Sequence, residues 1–340
     1  MITKIIDEHK IQQAKRLIEK YDKVVILTHT SPDGDAIGSS LGMYHFLLEQ
    51  DKDVQVIVPD EIASNLLWMK GAHDILVFDK NESLAQECID ASELIICLDF
   101  NGPARLGKMQ HLLQTAKSKI LLIDHHENPE MEADALISYP KMSSTGEMVF
   151  RVICRMGYFE DINRDSAEAI YTAMMTDTGN FSYNSNSPEI YYIIAELLKK
   201  GVNKEQVYRN IFHNQSESRL RLNSYAIANN MELFPELRAA VITLTLEEMQ
   251  RHNYQKGDVD GLVNVPLTIK GIDCVALFKE DVGKVKISLR SKGDIAVNQL
   301  ANQYFSGGGH KNAAGGAWFA SIKEGVELFH KVLPDFLGGK

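Results

Sequence analysis

Apolar segments that end abruptly in acidic and histidine side chains are the feature that most constrains this fold. The segment Lys119–Ile123 runs directly into Asp124, His125 and His126. An acid and two imidazoles are costly to bury unless something binds them. Three more segments repeat the pattern: Val24–Leu27 precedes His29, Leu94–Leu98 precedes Asp99, and Ala167–Met175 precedes Asp177. Because ligands bind outside the carboxyl ends of strands in open α/β sheets, these residues predict a polar site at one sheet edge.

The order of the patterns divides the 340 residues into parts of different character. Strand and helix patterns alternate over residues 1–190, which predicts a mostly parallel, doubly wound α/β sheet. Helical patterns fill residues 191–235, which we interpret as a helical linker. Residues 236–340 contain strands on either side of a turn at 280–283, so they predict a smaller C-terminal α/β domain.

The individual elements follow from the same patterns. In the first part, strands are predicted at 23–28, 53–58, 94–99 and 119–124, with helices at 36–50 and 61–70. Helices then dominate, at 144–156, 164–175, 188–200, 204–212 and 216–232. In the last part, strands are predicted at 238–245, 273–278 and 284–290, with helices at 295–304 and 322–337.

Composition and charge narrow the class of protein. No apolar stretch is long enough for a membrane span, and the charged N-terminus does not look like a signal peptide, so a cytoplasmic protein without membrane contact is expected. The four cysteines show no paired spacing, which argues against disulfides or a cysteine zinc site. The net charge of −10 argues against a protein that coats long nucleic acid.

The charge is unevenly distributed. Residues 236–340 carry 13 basic and 12 acidic side chains, a net charge of +1, so the first 235 residues carry −11. Several aspartates that hold divalent cations would explain much of this negative charge. A basic cluster stands out near the C-terminus: Lys284, Lys286, Arg290, Lys292 and Lys311. This cluster has two interpretations: it binds a short anionic ligand, or it is only the solvent-exposed face of a hairpin.

The residues near the first strand end indicate a metal site. His29, Asp33 and Asp35 fall in one turn, although Asp35 could instead only cap a helix that begins at Ala36. Carboxylates and neutral imidazoles together suit Mn²⁺, with Mg²⁺, Co²⁺ or Zn²⁺ as competitors. Two such cations about 3.5–4 Å apart can stabilise both oxygens of an in-line displacement at phosphorus. Each residue alone is weak support, but their occurrence at successive strand ends favours a two-metal site.

A second set of residues could bind an anion. Gly307, Gly308 and Gly309 let the backbone approach a phosphate closely, and His310 adds an imidazole donor. Arg290 ends a strand and could clamp a phosphate through two hydrogen bonds. Arg105, six residues after Asp99, is another candidate phosphate ligand. The alternative is that it is an ordinary surface arginine at the start of a helix.

These motifs together resemble the DHH phosphoesterase superfamily. The segment from His29 through Asp33 and Asp35 to Ser39 is similar to its first motif, Leu98-Asp99 to the second, Asp124-His125-His126 to the third, and Thr176–Gly179 to the fourth. Gly307–His310 resembles the signature of the DHHA1 domain that follows the catalytic domain in one branch. The segment Ser143–Glu147 resembles a further part of the family, although Ser144 also suits a helix N-cap.

The resemblance implies roles for individual residues. It implies that His29, Asp33 and Asp99 hold one Mn²⁺. It implies that the second ion is held by Asp35, Asp99, His125 and Asp177, with Asp99 bridging. His126 would then face the scissile phosphate, and His310 with its glycines would meet the nucleotide.

Domain order and length resemble the NrnA-type enzymes of this family. The resemblance implies hydrolysis of very short single-stranded RNA and removal of the 3′-phosphate from 3′-phosphoadenosine 5′-phosphate, with a homodimer allowed. Hydrolysis of cyclic di-AMP or linear pApA is the main alternative. A pyrophosphatase or exopolyphosphatase fits the Gly307–His310 motif less well, and a RecJ-type exonuclease would carry more positive charge. A non-catalytic nucleotide sensor is disfavoured by the intact metal-ligand set.

Overall fold

The computed structural model describes residues 4–213 and 215–337. The chain divides into two compact units, Met1–Asn214 and Gln215–Lys340. The strands of the first unit are β1 (Lys23–Leu27), β2 (Asp53–Val58), β3 (Leu76–Val77), β4 (Leu94–Leu98), β5 (Lys119–Asp124) and β6 (Ala135–Ser138). Its helices are α1 (Glu8–Lys20), α2 (Gly34–Glu49), α3 (Glu82–Ala91), α4 (Gln110–Thr115), α5 (Thr145–Met156), α6 (Arg164–Asp177), α7 (Pro188–Lys199) and α8 (Lys204–Phe212).

The second unit has its own set of elements. Its strands are β7 (Met231–Phe234), β8 (Ala239–Leu244), β9 (Cys274–Asp281), β10 (Lys284–Ser291), β11 (Gly308–His310) and β12 (Ala313–Trp318). Its helices are α9 (Glu217–Asn230), α10 (Leu246–Arg251), α11 (Val297–Tyr304) and α12 (Ile322–Val332).

The first sheet is parallel throughout its described strands, in the order β3-β2-β1-β4-β5-β6. Every residue of β4 is buried, because helices cover both faces of the sheet and form separate cores there. The strand order reverses direction between β1 and β4. Such a switch point opens a crevice at the carboxyl ends of the two strands, where ligands bind in folds of this kind.

Close packing of α2 on α6 fixes the helical side of this crevice. A Cβ on Gly38 would lie 2.6 Å from the backbone oxygen of Ala169, and one on Gly42 would lie 2.6 Å from Ile170 Cγ1. The two helices can therefore approach only because glycine stands at these α2 positions. This approach brings the beginning of α2, with Asp35, close to the end of α6, with Asp177.

The second sheet is mixed, in the order β11-β12-β10-β9-β8-β7 for its described strands. Only the β8–β9 pair is parallel within this described sheet. One face packs against α11 and α12, around Ile287, Leu289 and Phe329. The other face packs against α9 and the 3₁₀ helix Leu262–Thr268, chiefly over β8 and β9, and the 3₁₀ helix also reaches β10.

The α/β fold class predicted from the sequence is confirmed, while one predicted helix is wrong. Residues 61–70 contain only the short 3₁₀ helix Ser64–Leu66. Helices α7 and α8 contribute side chains to the core of the first unit, and α9 contributes to the second. The domain limits 1–190, 191–235 and 236–340 stay a prediction. Among the described residues, we find no helix with the length and apolarity that a bilayer crossing requires.

Candidate metal centre

The predicted ligands of the first unit lie together at the carboxyl edge of its sheet. His29 follows β1, Asp99 follows β4, and His125 follows β5. Asp35 lies in the first turn of α2, and Asp177 is the last residue of α6. Three strand ends and two helix ends therefore contribute to one cluster.

Asp99 lies at the centre of this cluster and is buried. Its Oδ2 is 3.4 Å from His29 Nε2, and its Oδ1 is 3.6 Å from His125 Nε2. The hydroxyl of Thr145 donates a hydrogen bond to Oδ1 at 2.9 Å. Burial raises the pKa of Asp99, but the hydrogen bond with His29 and the charge of His126 outweigh burial and hold the pKa below its usual range. The two oxygens thus face two different histidines, as a bridging carboxylate requires.

Both histidines are held through the ring nitrogen that faces away from the cluster. His29 Nδ1 lies 2.8 Å from the backbone oxygen of Thr30, and His125 Nδ1 lies 3.3 Å from that of Met142. A carbonyl oxygen can only accept, so each Nδ1 carries the proton. When the ring is neutral, its Nε2 then directs a lone pair at the carboxylates, the usual arrangement of a histidine that binds a metal.

Asp35 is fixed by the beginning of α5. Its Oδ2 accepts from the backbone N–H of Thr145 at 2.7 Å, and its Oδ1 accepts from that of Gly146 at 2.9 Å. The alternative that Asp35 only caps a helix at Ala36 is wrong, because α2 begins at Gly34 and Asp33 is its cap. Asp33 Oδ1 accepts from the backbone N–H groups of Asp35 and Ala36.

The side chains form two donor groups. In each, one ligand atom per residue lies within 4.8 Å of the others: His29, Asp33 and Asp99 in the first, and Asp35, His125 and Asp177 in the second. His125 Nε2 is 3.6 Å from Asp35 Oδ2 and 3.6 Å from Asp177 Oδ2. Since Asp99 also lies beside His125, it adjoins both groups.

The carboxylates of the second group repel one another. Burial raises the pKa of Asp35 well above its ordinary value, and the charges of Asp99 and Asp177 raise it further. Burial likewise raises the pKa of Asp177 to about 7. No lysine or arginine in the described chain forms an ion pair with any of the four acids, Asp33, Asp35, Asp99 and Asp177. Acids without cationic partners, with Asp35 and Asp99 buried among them and imidazoles beside them, are a donor set that fits divalent cations.

His126 lies beside the cluster and is oriented by Asp124. Its Nδ1 donates to Asp124 Oδ1 at 2.7 Å, while its side chain remains 16% exposed. Burial lowers the pKa of His126, but the hydrogen bond with Asp124 and the charge of Asp99 outweigh it and raise the pKa to about 9. Asp124 itself is fully buried, and its Oδ2 has no hydrogen-bond partner among the described residues.

Arg105 lies in the 3₁₀ helix Pro103–Met109, directly after the β4 end, and is exposed. Its backbone oxygen accepts from Thr30 N at 2.8 Å, which fixes the loop that carries His29. Burial lowers the pKa of His29, but the hydrogen bond with Asp99 and the charge of Asp33 outweigh it and raise this pKa above its ordinary value. The charge of the Arg105 guanidinium makes a smaller contribution that lowers the pKa of both His29 and His126. Arg105 is therefore close enough to act on an anion held beside these histidines.

The predicted anion-binding residues of the second unit lie on neighbouring strands. Gly308–His310 form β11, and Arg290 on β10 pairs with Ala313, which also pairs with His310. A Cβ on Gly307 would overlap the backbone oxygen of Gly315, and Gly309 has a φ of +138°. Both glycines are therefore required by the backbone of the sheet. Gly308 has open space around the position of a Cβ, so sheet packing does not explain its glycine.

Sequence reasoning assigned no role to three residues of this centre. Thr145 and Gly146 hold Asp35 and Asp99, and Asp124 orients His126. The resemblance of Ser143–Glu147 to a family segment could have indicated a role for Thr145 and Gly146. Asp124 was visible as the first member of the acidic and histidine triplet. Ser144 does cap α5, accepting from Glu147 N.

Comparison with known proteins identifies the class of this centre. Residues 23–174 match the DHH family, N-terminal domain, and residues 238–337 match the DHHA1 domain. The protein is thus a phosphoesterase of a metal-dependent class. In particular, the chain belongs to the DHH/DHHA1 family.

Several relatives extend over nearly the whole chain. A solved structure of an exopolyphosphatase-related protein from Bacteroides fragilis is 47% identical, with a TM-score of 0.95, and the match covers 99% of this chain and 98% of that one. A bifunctional oligoribonuclease and PAP phosphatase NrnA from Thermus thermophilus is 28% identical over 91% of this chain and 89% of its own length. The cyclic-di-AMP phosphodiesterase GdpP of Geobacillus thermodenitrificans is 27% identical over 96% of this chain but 49% of its own length.

Proposed function

We propose that this protein is a Mn²⁺-dependent phosphoesterase that hydrolyses short oligoribonucleotides to mononucleotides and 3′-phosphoadenosine 5′-phosphate to AMP. The observation that carries the proposal is the buried Asp99, whose two oxygens face His29 at 3.4 Å and His125 at 3.6 Å. The similarity to NrnA over 91% of the chain supports the substrate class.

The two donor groups would hold two cations. His29, Asp33 and Asp99 would hold one ion, and the ligands of the other would be Asp35, Asp99, His125 and Asp177. Mn²⁺ suits this mixture of carboxylate and imidazole donors, with Mg²⁺ and Co²⁺ as competitors. When bound, two such ions activate water and stabilise the charge that develops on the oxygens around phosphorus.

Side chains of the protein would bind the scissile phosphate and the nucleotide. His126, held by Asp124, would donate from Nε2 to an oxygen of the scissile phosphate, since its Nδ1 is already engaged. Arg105 would bind the same phosphate as a cation. In the second unit, Arg290, Gly307, Gly308, Gly309 and His310 would bind the nucleotide.

A panel of substrates tests the proposal. Mn²⁺-loaded protein is assayed against a five-nucleotide RNA, 3′-phosphoadenosine 5′-phosphate, pApA, cyclic di-AMP, pyrophosphate and polyphosphate. We expect nucleotides from the RNA and AMP from the bisphosphate. Hydrolysis of pyrophosphate or polyphosphate alone would reject the proposal. A protein that bound these compounds without turning over any would be a sensor and not an enzyme.

A second candidate function is supported by the similarity to GdpP, which spans 96% of this chain. In that case cyclic di-AMP or its linear product pApA would be the physiological substrate. The same panel distinguishes the two functions, because kcat/KM for cyclic di-AMP would then exceed that for the five-nucleotide RNA.

A further inference from the structure

The residues that lead into α5 hold one of the two donor groups. We call this stretch, Met142–Gly146, the entry segment. Its first backbone oxygen lies 3.3 Å from His125 Nδ1, and two of its backbone N–H groups donate to the two oxygens of Asp35. The hydroxyl of Thr145 donates to Asp99 Oδ1, the oxygen that lies 3.6 Å from His125 Nε2. The entry segment thus fixes Asp35 and His125 of the second donor group, and the oxygen of Asp99 that faces this group.

The entry segment also packs on the helix that carries the remaining ligand of the second donor group. A Cβ on Gly146 would overlap the Cβ of Ala173, so this approach requires glycine. Ala173 lies about one turn before Asp177, the last residue of α6. All three members of the second donor group are therefore held by the entry segment, either directly or through one turn of helix.

The first donor group is held by different contacts. His29 Nδ1 lies 2.8 Å from the backbone oxygen of Thr30, and the N–H of Thr30 donates to the backbone oxygen of Arg105. Asp33 is fixed as the cap of α2, where its Oδ1 accepts two backbone N–H groups. In the described part of the chain, no hydrogen bond joins the entry segment to His29 or Asp33. The two donor groups thus share Asp99 but have separate supports.

A buried ion pair holds the entry segment in place. The backbone N–H and the hydroxyl of Ser143 both donate to Glu147 Oε2, at 2.8 and 2.6 Å. Arg151 donates to the other oxygen of Glu147 and to Glu189, in the first turn of α7. The side chains of Glu147 and Arg151 are each only 2% exposed. A buried pair is weak evidence for stability, because apolar residues of similar volume often serve as well. One oxygen for the segment and one for the arginine suit a positioning role instead.

We propose that Glu147 and Arg151 position the ligands of one cation, that of the second donor group. Glu147 holds the entry segment, and the entry segment holds the ligands. Loss of the Glu147 charge would let the segment shift and would widen the second group, whereas the first group keeps its own supports. Neither residue belongs to a donor group, so both act only through the ligands. This inference rests on the proposed function, which requires two cations.

Two proteins that each keep one ion site test the inference. Asp33→Asn removes a ligand of the first group alone, and Asp177→Asn removes one of the second group alone. Asparagine caps a helix as well as aspartate, so α2 should be unaffected. Glu147→Gln is added to each protein, and the dissociation constant for Mn²⁺ is measured by calorimetry. With Asp33→Asn we expect it to rise by about tenfold or more, the usual effect of losing a partner that orients a ligand. With Asp177→Asn we expect a change of less than about twofold, because the supports are independent.

Ser143→Ala decides the question if Glu147→Gln does not fold. It removes only the hydroxyl that donates to Glu147 Oε2, while the backbone N–H remains. In the Asp33→Asn protein it should raise the dissociation constant by about threefold, as expected from the loss of one hydrogen bond. In the Asp177→Asn protein it should leave the dissociation constant unchanged.

Arg155→Met is the matched control. Arg155 lies about one turn further along α5, is 12% exposed and pairs with Glu8 at 2.6 Å. Its loss should lower the melting temperature and change neither dissociation constant, because this ion pair does not contact the entry segment. Equal weakening of both ion sites by Glu147→Gln, an unchanged second site, or the same weakening by Arg155→Met would each overturn the inference.

Turnover separates this inference from the proposed function. A wild type that binds two Mn²⁺ ions but hydrolyses neither the five-nucleotide RNA nor 3′-phosphoadenosine 5′-phosphate would reject the proposed function, and the titrations would still decide the role of Glu147. A wild type that hydrolyses both, with a second site that Glu147→Gln leaves unchanged, would reject the inference alone. A wild type that binds fewer than two ions would overturn the inference.

Discussion

Asp99 has a φ of +66°, a backbone conformation that is uncommon for residues other than glycine, although asparagine and aspartate adopt it more often than most. The surrounding contacts hold it there, with Thr145 on one carboxylate oxygen and His29 beside the other. Strain of this kind persists at functional sites because the structure around it over-determines the geometry. A test of Asp99 should therefore change its charge and leave its backbone alone.

Asp99→Asn is the appropriate substitution, since asparagine tolerates a positive φ. We expect turnover of bis-p-nitrophenyl phosphate to fall by well over tenfold, because an amide cannot replace a bridging carboxylate and tenfold is about 1.4 kcal/mol. Asp51→Asn is the control, an exposed aspartate with a φ of +56° outside the centre. Activity above about a tenth of wild type, with a native circular dichroism spectrum, would contradict the bridging role.

Asp124 acts through His126, so its substitution should affect rate and not metal binding. Asp124→Asn should lower kcat by roughly 10- to 100-fold, the usual effect of losing the partner that orients a histidine. The KM for bis-p-nitrophenyl phosphate and the melting temperature should change little. Steady-state kinetics and calorimetric titration with Mn²⁺ provide the measurements. A fall in ion stoichiometry would assign Asp124 to the metal ligands instead.

At the scale of elements, the beginning of α5 was predictable but its function was not. Ser144 is recognisable as a cap, and the helix was expected at 144–156. The N–H groups of Thr145 and Gly146 reach Asp35, which is 110 and 111 residues away. Such a contact depends on the packing of α2 against α5 and α6, which no local pattern encodes.

Other elements show the same limit. The carboxyl ends of β1, β4 and β5 were predictable because their apolar runs stop at acids and histidines. Strand β12, Ala-Ala-Gly-Gly-Ala-Trp, has the composition of a loop, and β3 has two residues. Both form because a neighbouring strand supplies hydrogen bonds, so tertiary context outweighs intrinsic β-propensity. The prediction of a helix at 61–70 was wrong in the opposite direction. The residues have a helical pattern, but outside the 3₁₀ helix Ser64–Leu66 the segment is irregular.

A buried ion-pair network supports α5 and offers an element-scale prediction. Arg151 donates to Glu147 at 2.8 Å and to Glu189 at 2.7 Å, and Glu147 Oε2 accepts from Ser143 N at 2.8 Å. Arg151→Met should lower the free energy of unfolding by about 3–5 kcal/mol, because it leaves buried Glu147 without its cation.

Urea unfolding measures this effect. The double variant Glu147→Gln/Arg151→Met should recover part of the loss, since the buried charge of Glu147 is removed together with its cation. An equal loss in both variants would show that packing, and not the ion pair, stabilises the beginning of α5.

At the scale of the whole molecule, net charge restricts the substrate. The chain carries −10, and few basic residues are candidates to bind phosphates, chiefly Arg290, Lys292, Lys311 and Arg105. Counterion release therefore contributes little to binding of a long polyanion. We expect hydrolysis to slow as RNA grows beyond roughly five nucleotides, with only a few phosphates bound. Rates on 2-, 5- and 24-nucleotide RNAs at equal strand concentration decide this, and equal or faster digestion of the 24-mer would indicate a processive exonuclease.

The concentration of acids in one unit, with a separate hydrophobic core in the other, has a thermal consequence. A cation that binds only the folded first unit stabilises it by about 2.7 kcal/mol at a hundred times its dissociation constant. Since each unit has hydrophobic cores of its own, we expect the two units to melt in separate transitions, of which only the first unit's should rise in a calorimetric scan. Scans with Mn²⁺, Mg²⁺, Co²⁺ and Zn²⁺ would then rank the ions by the temperature of that one transition. If none of the ions raised the temperature of the first unit's transition, the acid cluster would not bind these cations. The folded unit would then tolerate the repulsion among its carboxylates, and this result would need no assay of turnover.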